Sequence, residues 1–246
     1  MLNKITLGNC LEVMERIPSR SIDMVLCDLP YGTTACSWDT IIPFTELWHQ
    51  YDRVCKPNSA IVLFGQEPFT SYLRLSNIKN FKYDWYWEKE RLTNVAQVKR
   101  RAGKTVETIS VFYKEQCTYN PQMQIYSGPK RTNKVGVGKQ GSLISGNTMN
   151  VKEYTDTGLR YPTQVLKYQR DILKSNLHPT QKPVALCEFL IKSYTNEFET
   201  VLDNCIGSGT TAIACMNTDR NFIGIEQDNN YVDIANTRIA NHLDNL

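Results

Sequence analysis

An acid, an X-Pro bond and an aromatic follow one another at Asp28-Leu29-Pro30-Tyr31, directly after the apolar run 22–27 and just before Gly32. The run reads as a buried strand, so the tetrapeptide falls where a strand ends and a loop begins. In open α/β sheets that edge is where ligands bind. A carboxylate and a backbone carbonyl offer acceptors to an amine, and the tyrosine offers a ring face. A flat, amine-bearing ring would suit such a loop. The plainer alternative is an aspartate that caps a turn beside a tyrosine packed in the core.

A second chemical signature lies far downstream at Asp203-Asn204-Cys205-Ile206-Gly207-Ser208-Gly209-Thr210. Gly207-x-Gly209 between a strand and a helix lets backbone approach a ligand closely, because no Cβ intervenes. The helix start behind it offers free N–H groups. Glu226 ends the next apolar run, where a carboxylate can accept both hydroxyls of a ribose. Ala212 stands where the dinucleotide fingerprint has its third glycine, a replacement that fingerprint tolerates. Asp203, however, occupies a place that dinucleotide enzymes leave apolar. The pattern therefore favours a ribose-bearing cofactor without pyrophosphate, with S-adenosylmethionine the foremost candidate.

The elements that must position these residues alternate in βα fashion. Strands are expected at 4–7, 22–27, 60–64, 83–88, 108–113, 200–202 and 222–225. Helices are expected at 11–17, 43–54, around 69–75, from Pro183 onward, at 210–216 and at 230–242. This order predicts an α/β fold, doubly wound around a mostly parallel Rossmann-like sheet. Residues 115–181 break the pattern: six of the thirteen glycines fall between 128 and 158, and no hydrophobic period stands out. The organisation expected is a catalytic half at 1–114, a loop-rich insert at 115–177 and a cofactor half at 178–246.

Charge is unevenly spread. Residues 115–181 hold nine Lys or Arg against four acids, while the whole 246-residue chain is only +3. A basic insert on a near-neutral body suits a polyanionic partner. Lys99, Arg100, Arg101 and Lys104 form a further basic stretch for phosphate contact, or a solvated loop. Nearby Trp85, Tyr86 and Trp87 read as core aromatics. Eight cysteines lack any Cys-x-x-Cys pair and only three histidines accompany them, which speaks against a metal site. Cys10, Cys27, Cys55 and Cys215 read as small buried hydrophobes. No apolar run approaches the roughly 20 residues of a membrane span, and the first residues lack a signal-peptide core. The expectation is a cytoplasmic protein without membrane contact.

Together these pieces resemble the β class of amino-group DNA methyltransferases. In that family a catalytic Asp/Asn/Ser-Pro-Pro-aromatic motif comes first. A target-recognition region follows, then His-Pro-Thr-Gln-Lys-Pro and a Phe-x-Gly-x-Gly cofactor motif. Here Asp28–Tyr31, the basic insert, His178-Pro179-Thr180-Gln181-Lys182-Pro183 and the Asp203–Thr211 segment stand in that circularly permuted order. The hexapeptide is highly specific, and the resemblance spans nearly the whole chain outside the insert.

The resemblance implies a site-specific enzyme that methylates N6 of adenine in double-stranded DNA, using S-adenosylmethionine, as in restriction-modification. Asp28 and the carbonyl of Leu29 would accept the amine of a flipped base, Pro30 would fix the backbone, and Tyr31 would stack. Cofactor contacts would come from Asn9, Cys10, Asp28, Phe64, His178, Thr180, Lys182, Asp203, Cys205, Gly207, Gly209, Thr210, Glu226 and Gln227, with Lys182 near the methionine carboxylate. Lys99, Arg100, Arg101, Lys130, Arg131 and Lys134 would meet DNA. The resemblance also allows a homodimer and a cognate restriction endonuclease. Three positions depart from the family: Leu29 for proline, Cys205 for phenylalanine and Asn9 for an acid. Leucine supplies the same backbone carbonyl, and Pro30 still biases it toward extended geometry. Adenine rests on Asp28, because members acting on cytosine N4 more often carry serine there. A cytosine-N4 enzyme, an RNA methyltransferase and a catalytically silent nucleic-acid-binding homologue remain as alternatives.

Overall fold

A computed structural model describes residues 1–32, 39–129, 156–171 and 181–244. Its centre is an eight-stranded sheet of order β1-β10-β9-β2-β3-β5-β4-β8. The strands are β1 (Lys4–Leu7), β2 (Ile22–Cys27), β3 (Cys55–Gly65), β4 (Phe81–Glu88), β5 (Val106–Phe112), β8 (Val165–Lys167), β9 (Thr200–Asp203) and β10 (Asn221–Glu226). All neighbours are parallel except β5, which runs against both β3 and β4. The fold is thus the expected α/β, doubly wound, mostly parallel sheet.

β2 explains why so apolar a run forms a central strand. Met24 and Leu26 enter one hydrophobic cluster, while Ile22, Val25 and Cys27 enter the other on the opposite face. A strand buried on both faces needs a near-continuous hydrophobic sequence. The covering helices are α1 (Cys10–Met14), α2 (Phe44–Val54), α3 (Phe69–Ser76), α4 (Val184–Tyr194), α5 (Thr210–Met216) and α6 (Asn229–Leu243). α1 is shorter than its apolar stripe predicts; Ile17 is still buried, but just beyond the helix. Trp85 and Trp87 lie in the core, their indole N–H groups bonded to Tyr194 Oη at 2.6 Å and the Tyr168 carbonyl at 2.8 Å.

A separate compact unit spans 121–162, while 115–120 and 163–171 belong to the large unit. β8 is the reason: it pairs in parallel with β4 and buries Leu166. In the small unit, β6 (Gln124–Ile125) pairs with β7 (Leu159–Arg160), and Arg160 joins Asp156 at 2.7 Å while lying over the Tyr126 ring. Among the described residues no helix is long and apolar enough to cross a membrane.

From β2 the chain proceeds to β3 on one side; from β9 it proceeds to β10 on the other. Strand order therefore reverses between β9 and β2, the switch point where open α/β sheets hold ligands.

Candidate active site

A cavity of about 410 Å³ opens at that switch point. Asp28, just past the end of β2, and Asp203, the last residue of β9, both line it. The two strands pair directly through Met24 with Val201 and Val25 with Leu202. That register brings together carboxylates from opposite ends of the sequence. The loop after Asp28 turns at Gly32, whose φ of +66° favours glycine and whose added Cβ would lie 2.9 Å from Ile41 Cγ1.

Asp28 has both oxygens engaged: Tyr31 Oη donates to Oδ1 and Lys182 Nζ to Oδ2. Tyr31 packs against Phe69 with centroids 4.9 Å apart. Burial first, and the Asp28 charge next, hold its hydroxyl well above the usual tyrosine range, so it stays a donor. Lys182 is buried, with Glu107 Oε2 at 3.6 Å and the Phe64 ring centroid at 5.1 Å from its ammonium. Burial alone would favour the neutral amine; Asp28 and Glu107 outweigh it and push its pKa up. Glu107 is also buried and takes a hydrogen bond from Lys89 on its other oxygen. Burial opposes its charge, but Lys182 and Lys89 hold its pKa below the usual value. The chain Asp28–Lys182–Glu107–Lys89 thus alternates in charge.

Asp203 is held differently. Thr211 Oγ1 donates at 2.6 Å and the Cys205 N–H at 3.1 Å. Burial lifts its carboxyl to about 6, from an ordinary 3.8, against the pull of those donors. Glu226 accepts the N–H groups of Gly207, Gln227 and Asp228, each at 2.9 Å, which fixes its carboxylate at the strand end. Asn9 Oδ1 caps α1 through the Leu11 N–H at 2.9 Å, leaving its Nδ2 to meet a ligand. Cys205 Sγ accepts from Asn204 Nδ2 at 3.6 Å, so a thiol stands where the family motif has phenylalanine. Cys10 is only half-buried, unlike the buried Cys27, Cys55 and Cys215.

Of the residues singled out from sequence, Asn9, Cys10, Asp28, Leu29, Pro30, Tyr31, Phe64, Lys182, Asp203, Cys205, Gly207, Thr210, Glu226 and Gln227 line the cavity. Gly209 does not. Its φ of +82° and the Ala235 Cβ, 3.1 Å from where its own would stand, give it a packing reason to be glycine. His178, Thr180, Lys130, Arg131 and Lys134 lie outside the described residues. Lys182 reaches Asp28 and Glu107. Lys99, Arg100 and Arg101 are exposed on the β4–β5 connection, which leaves the sheet at the same edge as Asp28. The remaining described basic residues of 115–177, Arg160, Lys167 and Arg170, are each paired with an acid.

Sequence reasoning missed Glu107, Gln66 and Tyr231, which also line the cavity, as do Gln181 and Asn204 from within the quoted motifs. Glu107 had a signal: within Val106-Glu107-Thr108-Ile109 the acid sits on the buried face and the valine is exposed. Among the described residues, both amide atoms of Gln181 are buried without a hydrogen-bond partner, as is Glu107 Oε2. No cluster among the described residues could hold a metal ion.

Comparison with known proteins gives the same direction. The N6/N4 methyltransferase family model, described as DNA methylase, matches residues 22–237. Type II methyltransferase M1.MboII of Moraxella bovis is 28% identical, covering 96% of this chain and 95% of that protein. DNA adenine methyltransferase YhdJ of Escherichia coli K12 is 26% identical, with 96% and 82% covered. The crystal structure of an M1.HpyAVI–SAM complex superposes with a TM-score of 0.63 at 26% identity, covering 96% of this chain and 98% of that one. The cytosine-N4-specific PvuII methyltransferase has a TM-score of 0.63 at 19% identity, a likeness of fold alone.

Proposed function

The chain belongs to the N6/N4 DNA methylase family, and from that premise we propose that its target is N6 of adenine in double-stranded DNA. It is an S-adenosylmethionine-dependent DNA methyltransferase; the choice of base and the residue roles are the proposal. The observation that carries it is Asp28 lining the same cavity as Asp203. One carboxylate suits a base amine, and the other belongs to a cofactor cradle.

The cavity suits the cofactor in size, since about 300–1,000 Å³ is usual for small-molecule sites. Its donor set also fits. Glu226 has lone pairs left for ribose hydroxyls, Asn9 has an amide for adenine, and Asp203 and the Gly207 turn suit the cationic methionine end. When bound, the cofactor supplies an electrophilic methyl group on a sulfonium. Asp28 and the Leu29 carbonyl accept the two N–H bonds of the base amine. This draws the nitrogen's lone pair out of conjugation and toward the methyl. Tyr31 stacks on the base. The methylated nitrogen is strongly acidic, so its proton leaves without a potent general base. No covalent enzyme intermediate is needed, and catalysis comes from positioning and electrostatics.

Lys99, Arg100 and Arg101 contact phosphates beside the cavity mouth, with Lys130, Arg131 and Lys134 as further candidates. His178 and Thr180 belong with the cofactor-side residues. A homodimer, a cognate restriction endonuclease and a cytoplasmic location complete the reading. Incubation with duplex DNA and methyl-labelled S-adenosylmethionine, followed by digestion to nucleosides, tests it. Label in N6-methyladenosine is expected. Label in N4-methylcytosine would move the assignment to the other base. Transfer to RNA alone would remove DNA as the substrate.

A further inference from the structure

Both oxygens of Asp28 are engaged by the protein itself, one by Tyr31 and one by Lys182. A base amine that takes the Oδ2 lone pair now used by Lys182 must displace the ammonium. Lys182 has somewhere to go. Glu107 Oε2 is buried, has no hydrogen-bond partner among the described residues and lies 3.6 Å from the Lys182 ammonium. The other Glu107 oxygen is fixed by Lys89, which itself sits 4.7 Å from the Trp87 ring centroid. Glu107 cannot readily turn away, so its open oxygen stays aimed at Lys182. An unpartnered buried carboxylate oxygen is costly, and a short shift of Lys182 would satisfy it.

We propose that Lys182 is a displaceable occupant of the amine-acceptor site and that Glu107 is the positioning residue that receives it when the target base enters. The proposal rests on the reading of Asp28 as amine acceptor. Lys182 fills that position while no base is present, balancing a carboxylate that would otherwise lack a cation. The incoming amine takes over Asp28 Oδ2, and the ammonium transfers its hydrogen bond to Glu107 Oε2. Charge inside the site is unchanged, because the same cation serves either carboxylate. The vacant position at Glu107 eases the exchange, because the buried ammonium keeps a carboxylate partner while Asp28 keeps neutral donors.

The test is a double-mutant cycle read by single-turnover methyl transfer with saturating cofactor and duplex. Glu107→Gln removes the charge of the receiving position at nearly constant shape. Transfer should slow at least about tenfold, in line with the cost of small misplacements at a reacting centre. Cofactor affinity, measured by calorimetry, should stay within about threefold, and Glu107→Asp should recover part of the rate. In a Lys182→Met background, Glu107→Gln should change the rate less than about threefold, because the occupant is gone. Equal losses in both backgrounds would overturn the proposal, as would an unaffected Glu107→Gln enzyme. If Glu107→Gln does not fold, lysine-selective nitrogen NMR on the unaltered protein decides. With S-adenosylhomocysteine bound, the Lys182 signal should move on adding a duplex the enzyme methylates. It should not move when purine, which lacks the amine, replaces the target adenine. Identical responses to the two duplexes would overturn it. Retained transfer in Asp28→Ala would instead sink the reading of Asp28, whatever Glu107 does.

Discussion

Asp28 and Asp203 end neighbouring parallel strands and line one cavity. Asp28 carries Lys182 on one oxygen and Tyr31 on the other. Asp203 is held by Thr211 and a backbone N–H, with no ion pair among the described residues. One acid is matched by a cation inside the protein. The other is buried among neutral donors and ionises only near pH 6. The same topological position thus yields two different tools. A charge-balanced carboxylate can exchange hydrogen-bond partners without a large change in local charge. A buried carboxylate without a cation is poised to gain from a cationic ligand, whose arrival supplies the missing partner.

That contrast can be broken experimentally, most severely at Asp28. Asp28→Ala should lower methyl transfer by about a thousandfold, the upper range for loss of one preorganised electrostatic contact. Calorimetry should find its cofactor affinity nearly unchanged; equal loss of both would erase the difference between the two acids. Asp203→Asn should do the reverse. Its cofactor dissociation constant should rise roughly 10- to 100-fold, the range expected for a lost charged hydrogen bond. Transfer at saturating cofactor should then recover to within a few-fold of the parent enzyme.

The combined variant Lys99→Ala, Arg100→Ala, Arg101→Ala should touch neither acid. DNA affinity in filter binding should fall about tenfold at low salt, and the slope of log affinity against log salt should shrink by about 2–3. Cofactor affinity should hold. The smallest effect is in pH. Asp203 is charged above about 6 and neutral below, so cofactor affinity should weaken roughly a few-fold as pH falls to about half a unit below that value. The same titration of Asp203→Asn should lack this step, and a step that survives in the variant would assign it to another group.

The two acids were legible in the sequence because each follows an apolar run and precedes a glycine-containing turn. Strand and turn are local signals, so Ile22–Cys27 and Thr200–Asp203 emerge where periodicity places them. Their direct pairing is not local, and it depended on the resemblance of motif order. The surroundings of the acids were harder to read. Lys182 was expected at the cofactor carboxylate; its contacts with Asp28 and Glu107 join three segments far apart in sequence, which no local signal gives. Glu107 sits in a strand whose sequence reading began two residues too late, at Thr108 instead of Val106. β8 was missed because three residues within a polar stretch carry no period, and only pairing with β4 makes them a strand.

The seam between β2 and β9 also has a consequence for synthesis. Asp23 in β2 accepts the Thr200 N–H at 3.0 Å across 177 residues, and Lys182 meets Asp28 across 154. At about 5–20 residues per second on the ribosome, the loop at Asp28 waits roughly ten to thirty seconds for its partners. During that interval the most apolar strand of the sheet has one edge without its final neighbour. A nascent chain therefore has a long window in which it is vulnerable to aggregation. The cavity-lining residues from Asp203 to Gln227 also emerge only in the last quarter of synthesis, so the cavity cannot form before then.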